Sequence, residues 1–228
     1  MAILGYSMAL LIGLSLGLIG GGGSVLAVPV LAYMFGLDEK MAAAYSLFVV
    51  GSAAFVGGIR QYKNGHVDIR TAAVFGAPAV LGVWGVRQFL VPMLPDVLFA
   101  VEGLEFTRRM GMFGLFSVLM IWAAYSMLRS KERKSGSGAV DYNYPLILLE
   151  GLIVGALTGL VGAGGGFLII PALVMFANLQ IKRAIGTSLV VIAFKSLLGF
   201  LLSDALTAAI DWPFLLQFTG IAVLGIFA

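Results

Sequence analysis

A run of four glycines interrupts the first apolar stretch of the chain, and a similar run interrupts another stretch 142 positions later. The first reads Gly-Leu-Ile-Gly-Gly-Gly-Gly-Ser over residues 17–24, followed by Pro29, and the second reads Gly-Leu-Val-Gly-Ala-Gly-Gly-Gly over residues 159–166, followed by Pro171. Glycine and proline interrupt helices, and lipid tolerates broken backbone only where protein or a polar cavity satisfies the freed N–H and C=O groups. Two such breaks at corresponding positions are typical of a transporter binding site.

The composition excludes a soluble domain. Apolar residues make up 61% of the 228 residues, charged residues 11%, and the mean hydropathy is +1.05. We therefore expect a multi-pass protein of the cell (inner or plasma) membrane, with the lipid bilayer as its surroundings. The net charge of +3 comes from basic residues that lie mostly in short loops, which indicates membrane orientation signals and no nucleic-acid partner.

The apolar runs predict an all-α fold in two membrane repeats. The runs cover residues 2–36, 41–59, 71–94, 110–128, 144–177, 184–202 and 212–228. A charged, glycine- and serine-rich stretch at 129–143 predicts a cytoplasmic linker. It separates a first repeat at 1–128 from a second repeat at 144–228.

The duplication extends well beyond the glycine runs. Ser46 corresponds to Ser188 at the offset of 142, and Asp68 corresponds to Asp211 at an offset of 143. By the same alignment Ala228 falls in the middle of the third segment of the repeat. We therefore expect the last part of the second repeat, the rest of this segment and one further helix, to be missing from this chain.

Helix length and charge both favour hairpins at the glycine runs. As helices, residues 2–19 would rise ~27 Å and residues 24–36 ~20 Å, too much together for one crossing of a ~30 Å hydrocarbon core. With hairpins, nine Lys or Arg residues lie on one side against three on the other, whereas full crossings give seven against five. The sequence predicts two inverted repeats, each a glycine-broken re-entrant hairpin followed by transmembrane helices.

A hairpin tip at the bilayer midplane would be an anion site. The returning half-helix begins at the glycines, where unpaired N–H groups and the positive end of the helix dipole attract anions. The absence of side chains lets an oxyanion approach the backbone closely. The alternative is that the glycines only allow close helix packing. The backbone donors that we expect at the shared central site belong to Gly22, Gly23, Ser24, Gly164, Gly165 and Gly166.

Polar side chains near the two tips supplement this prediction. Ser46, Thr187 and Ser188 lie one to two turns into the helices that follow the hairpins, where they could bind the anion or bond to backbone carbonyls instead. Lys195 stands inside an apolar helix, at a cost of about 2.5 to 3.5 kcal/mol on insertion scales. We expect Lys195 to face the anion, and the alternative is a side chain that snorkels to the outer interface.

The remaining charged residues indicate neither catalysis nor a cofactor. We expect Arg87 to snorkel at the outer end of its helix, and Arg108 and Arg109 to pair with Glu102 and Glu105. No set of nucleophile and base, no metal-ligand spacing and no phosphate-binding loop with its lysine is recognisable. The sequence therefore predicts neither an enzyme nor a cofactor or metal site.

Two further motifs, Gly186-Thr-Ser-Leu189 and Gly65-His-Val-Asp68, accompany the glycine runs. Together the motifs resemble those of the TauE/SafE-type sulfite exporter family, also called the toluene sulfonate uptake permease family. This resemblance implies eight membrane segments in two repeats, and transport of small sulfur-containing anions such as sulfite and organosulfonates. The chain departs from the pattern by stopping short of the last segment. The resemblance is carried by the two glycine runs with Pro29 and Pro171, by Gly186-Thr-Ser-Leu189 and by Gly65-His-Val-Asp68.

Taken together, these features predict a secondary transporter of a small sulfur-containing anion, sulfite or an organosulfonate. The anion would bind at the midplane between the two glycine-rich breaks, and the resemblance favours export. An anion channel on the same scaffold and a non-transporting membrane scaffold subunit are the alternatives. A coupling ion, proton or sodium, and the oligomeric state remain open at this point.

Overall fold

The structure, a computed structural model, is dominated by helices. It describes residues 2–95, 97–101, 104–129, 144–161, 165–175, 177, 179–205 and 210–227. In chain order the helices are α1 (Ala2–Ile19), α2 (Ser24–Met34), α3 (Glu39–Lys63), α4 (Ile69–Gly85), α5 (Val91–Met93), α6 (Arg108–Arg129), α7 (Tyr144–Val161), α8 (Gly166–Met175), α9 (Ile181–Gly199) and α10 (Trp212–Phe227). Two π-helical turns, π1 (Val86–Leu90) and π2 (Phe200–Asp204), extend α4 and α9.

In the described part of the chain, three continuous helices are long and apolar enough to cross a membrane. They cover Glu39–Lys63, Ile69–Met93 and Ile181–Asp204, the last two including the π-helical turns. Such lengths match the hydrocarbon thickness of a bilayer. The predicted membrane protein with long apolar helices is therefore confirmed.

In the described residues, one helix ends and the next begins within each glycine run. In the first run, α1 ends at Ile19 and α2 begins at Ser24, and in the second, α7 ends at Val161 and α8 begins at Gly166. Tyr6, in the second turn of α1, lies against Phe35, the residue after α2, with ring centroids 5.8 Å apart. The far ends of α1 and α2 are thus neighbours.

Helix packing is reciprocal between the two halves of the chain. The first helix, α1, packs against α10, while α7, which corresponds to α1, packs against α4, which corresponds to α10. At the first contact Gly13 lies against the backbone of Ala222, and at the second Gly155 lies against that of Ala79. A Cβ atom on either glycine would overlap backbone atoms, so both contacts depend on glycine.

The starts of α4 and α10 are held in the same reciprocal way. The carboxylates of Asp68 and Asp211 cap these helices, each accepting a backbone N–H three residues later. The backbone N–H of Asp68 donates to the Thr187 hydroxyl oxygen at 3.0 Å, and that of Asp211 donates to the Tyr45 hydroxyl oxygen at 2.7 Å. Tyr45 and Thr187 correspond at the offset of 142, so each half of the chain supplies an acceptor to the start of a helix in the other half.

A short antiparallel hairpin departs from the predicted all-α fold. Strand β1 (Val97–Val101) pairs with β2 (Leu104–Thr107), with Val97 opposite Thr107. Valine, phenylalanine and threonine in this segment favour an extended backbone, and the segment is too short for a helical apolar pattern.

The partner of Arg108 and the start of the linker differ from the predictions. Arg108, at the start of α6, forms an ion pair of 2.8 Å with Glu39 at the start of α3, a partner that the sequence pattern did not indicate. Glu102, one of its expected partners, lies outside the described residues. Of the predicted linker, Arg129 ends α6 and residues 130–143 lie outside the described part of the chain.

Candidate functional site

The two glycine breaks meet in the interior of the protein. The backbones of Gly21 and Gly166 approach so closely that a Cβ atom on either residue would overlap the backbone of the other. This contact joins the start of α8 to the first break. Gly164, one of the expected donors, lies outside the described residues.

A buried cation stands beside the second break. Lys195 is completely buried, and its ammonium group donates a hydrogen bond of 2.5 Å to the hydroxyl of Thr158 on α7. A Cβ atom on Gly165 would lie 2.9 Å from Lys195 Nζ, so the ammonium group stands directly over this glycine. Lys195 therefore does not snorkel to an interface.

Gly165 has a backbone that few other residues adopt. Its φ of +69° lies in the left-handed region, and an added Cβ atom would overlap the Thr158 side chain. Glycine is thus required at this position both by the left-handed backbone and by the lack of space for a side chain. The result is an ammonium group, a hydroxyl group and a bare stretch of backbone in one buried place.

A second buried cation, on π1, contacts the same turn of α7. Arg87 donates through Nη1 to the carbonyl oxygen of Gly159 at 3.1 Å, and through Nε and Nη2 to the Asp204 carboxylate at 2.6 and 2.7 Å. Because Arg87 is only 5% exposed, its predicted snorkelling position is wrong. The guanidinium group forms instead a bidentate ion pair between π1 and π2.

Two of the predicted serines hold the first break in shape. The hydroxyl of Ser24 donates to the carbonyl of Gly21 at 2.7 Å, and the backbone N–H of Ser24 donates to the same carbonyl at 3.2 Å. Ser188 donates to the carbonyl of Gly20 at 3.1 Å and to that of Ile185 at 2.8 Å. The amide of Ser24 therefore has a protein acceptor, and Ser188 ties α9 to the break.

Ser46 and Thr187 contact backbone groups of the surrounding helices. The Ser46 hydroxyl donates to the carbonyl of Ala43 at 3.1 Å, and the Thr187 hydroxyl accepts the N–H of Asp68 as described above. Both side chains are buried. These contacts match the alternative in which hydroxyl groups of membrane helices bond to backbone.

Gly22 and Gly23 differ in their surroundings. A Cβ atom on Gly23 would overlap the Ile12 carbonyl oxygen and approach Ser15 Oγ, so this glycine lets α2 pack closely on α1. A Cβ atom on Gly22 would meet the Ile19 side chain at 3.4 Å, which is ordinary van der Waals contact. Close packing therefore accounts for Gly23, whereas a side chain of alanine size would fit at Gly22.

A basic cavity of about 520 Å³ opens next to the first break. It lies between the ends of α1, α3, α9 and α10, and Ile185 in its wall contacts Gly20. Arg60, Lys182 and His66 also line the cavity. Basic side chains around a concave surface raise the local concentration of anions.

Sequence patterns did not indicate three polar residues of this region. Thr158 is the one threonine of the apolar helix α7, and its position just before the glycine run was the one available signal. Arg87 and Asp204 are 117 positions apart, so no local spacing could pair them.

Long apolar helices and a buried cation beside two helix breaks are features of a membrane transporter. A probable membrane transporter protein of Xylella fastidiosa strain 9a5c is 31% identical over 214 residues, which cover 91% of this chain and 76% of that protein. A probable membrane transporter protein of Methanocaldococcus jannaschii is 29% identical over 203 residues, covering 85% of this chain and 70% of that protein. A probable membrane transporter protein of Bacillus subtilis is 27% identical over 182 residues, which cover 80% of this chain and 70% of that protein. By class, this chain is a membrane transporter.

The family follows from a match over nearly the whole chain. Residues 6–228 match the family described as Sulfite exporter TauE/SafE, and the chain belongs to this family. The resemblance predicted from the glycine motifs is thereby confirmed. No solved structure matches the chain.

Proposed function

We propose that this protein is a secondary transporter that exports a small sulfur-containing anion, sulfite or an organosulfonate. The carrying observation is the position of the Lys195 ammonium group, buried over Gly165 where the two breaks meet. An ammonium group has three N–H donors, and the hydrogen bonds described for Lys195 use one, to Thr158. The other two are suited to the oxygens of an anion.

The site has the chemistry that an oxyanion requires. The anion would lie between Lys195 and the first turn of α8, whose N–H groups and dipole favour negative charge. The bare backbone of Gly165 and Gly166 allows it to approach closely. Because water is largely excluded from this interior, the attraction is stronger than at a surface.

In this proposal the two repeats are inverted, and α1–α2 and α7–α8 are re-entrant hairpins. The exchange of partners supports the repeat relation, since α1 packs on α10 as α7 packs on α4. The contact of Tyr6 with Phe35 supports the first hairpin. A site between two such hairpins could face either side of the membrane by movement of one repeat against the other.

The basic cavity would be the approach to the site. Arg60 and Lys182 at its wall attract anions, and Ile185 separates the cavity from Gly20. The excess of Lys and Arg residues on this side of the predicted topology marks it as cytoplasmic. An anion entering here and leaving on the other side would be exported.

The test is binding and flux with purified protein. We expect sulfite or methanesulfonate to bind by isothermal titration calorimetry, and to accumulate against its own gradient in proteoliposomes when a proton or sodium gradient is imposed. Lys195→Met should lower the affinity at least about tenfold, because the charge that balances the anion is lost. The control is Lys63→Met, at the end of α3 and outside the walls of the cavity.

Four outcomes would overturn the proposal. Binding of neither sulfite nor a sulfonate would remove the substrate class. Wild-type affinity in Lys195→Met would remove the site. Flux that only dissipates a gradient would identify an anion channel, and the absence of flux from a folded, anion-binding protein would identify a scaffold.

A further inference from the structure

The ion pair of Arg87 and Asp204 joins two unusual helical turns. Arg87 lies on π1 and Asp204 on π2, each a five-residue π-helical turn at the end of a long helix. Single π-helical turns are rare and occur frequently at functional sites. A turn of this kind can return to α-helical register by a shift of one residue, which would move the side chain that it carries.

Lys195 and Arg87 both contact the last turn of α7. Arg87 donates to the carbonyl of Gly159, and the preceding residue, Thr158, accepts from Lys195. The negative end of a helix dipole favours cations at this position. Among the described contacts of Lys195 and Arg87, Asp204 supplies the single carboxylate. Two cations with one carboxylate leave one positive charge for a monovalent anion to balance.

We propose that Arg87 is a second binding residue for the transported anion, and that Asp204 occupies its guanidinium group while the anion is absent. This inference rests on the proposed function. The Nε and Nη2 atoms present two parallel donors, and this fork fits two oxygens of a sulfite or sulfonate group as it fits the two oxygens of a carboxylate. The carboxylate of Asp204 is thus an internal competitor of the substrate.

The burial of the two side chains indicates which of them moves. The side chain of Arg87 is 2% exposed and is tethered to Gly159, whereas that of Asp204 is 17% exposed. Asp204 is therefore the member of the pair that can withdraw toward solvent. An anion held by Lys195 would take its place on Arg87, and two cations would then face one anion on the same turn of α7.

Removal of the competitor should tighten anion binding. In Asp204→Asn the buried guanidinium group loses its balancing charge, so methanesulfonate should bind about tenfold more tightly than in the wild type. Methanesulfonate should also raise the thermal unfolding temperature of Asp204→Asn by more than it raises that of the wild type. The matched control is Glu39→Gln, which removes the carboxylate from the buried ion pair of Glu39 with Arg108. This variant should bind methanesulfonate with wild-type affinity and show the wild-type shift in unfolding temperature.

A second variant decides the matter if Asp204→Asn does not fold. Arg87→Lys keeps the charge but has no fork, and it should bind methanesulfonate about tenfold more weakly. Unchanged or weaker binding in Asp204→Asn, an equal gain in Glu39→Gln, or unchanged binding in Arg87→Lys would each overturn the inference. If the wild type binds methanesulfonate and depends on Lys195, these results leave the proposed function standing, whereas a wild type that binds neither sulfite nor methanesulfonate removes both.

Discussion

The ammonium group of Lys195 and the hydroxyl group of Thr158 lie 2.5 Å apart and join α9 to the last turn of α7. Both side chains are buried, and the ammonium group also stands over Gly165 at the second glycine break. A charge in this position is costly unless polar groups surround it. The contact with Thr158 supplies one such group and fixes the direction of the remaining donors.

Thr158→Val should weaken anion binding without unfolding the protein. Valine has the shape of threonine but cannot accept from Lys195, and a hydrogen bond to a charged group is worth about 1.5–3 kcal/mol. We expect the affinity for sulfite, measured by calorimetry, to fall by roughly one order of magnitude. Thr219→Val is the control, because the Thr219 hydroxyl bonds to the carbonyl of Leu215 within α10. Equal affinities in the two variants would contradict the role of Thr158.

Gly165→Ala should destabilise the protein more than Gly36→Ala. Both residues have a left-handed backbone, with φ of +69° and +66°, which costs a non-glycine residue about 1–2 kcal/mol. Around Gly36 nothing lies within 4 Å of an added Cβ atom, whereas at Gly165 it would overlap Thr158. The melting temperature of Gly165→Ala should therefore be the lower one, with loss of transport. Equal melting temperatures would show that the space over Gly165 is not restricted.

Gly21→Ala should separate the two breaks, and Gly22→Ala should be tolerated by the fold. A methyl group on Gly21 would overlap the backbone of Gly166, while the nearest neighbour of a methyl group on Gly22 would be the Ile19 side chain at 3.4 Å. We expect a large loss of thermal stability in the first variant and a small change in the second. Any loss of anion binding in a stable Gly22→Ala would then be local to the site. A stable, active Gly21→Ala would be inconsistent with contact between the breaks.

Tyr45→Phe and Thr187→Val should lower the stability by similar amounts. Each variant removes the acceptor of one backbone N–H at the start of a helix in the other half of the chain. Tyr45→Phe removes the acceptor of Asp211 N–H, and Thr187→Val removes that of Asp68 N–H. The expected loss is about 0.5–1.5 kcal/mol each. Tyr62→Phe, at an exposed position, is the control. A loss in only one of the two variants, measured by thermal unfolding, would show that the two contacts are not equivalent.

Local patterns were sufficient to predict the breaks and the polar interior. Glycine runs inside apolar sequence mark helix ends wherever they occur, and a lysine in an apolar helix must face a polar partner, as Lys195 does. In the structure Gly165 lies under this lysine.

Contacts between distant segments were beyond the reach of these patterns. The partner of Arg87 lies 117 positions away, and a charge near a helix end looks the same in sequence whether it snorkels or pairs. The hydrogen bonds of Ser46 and Thr187 to backbone groups could not be predicted from the sequence, because a hydroxyl group can equally bind a ligand. The β1–β2 hairpin is too short to show a period of its own.

The packing of α1 against α10 has a consequence for how the chain is made. Ribosomes add about 5–20 residues per second, so α1 leaves the tunnel roughly 10–45 seconds before the segment against which Gly13 will rest. During that interval the Gly13 face of α1 is in contact with lipids or with the insertion machinery instead of α10. The contact between α1 and α10 can thus form only after α10 has been synthesised.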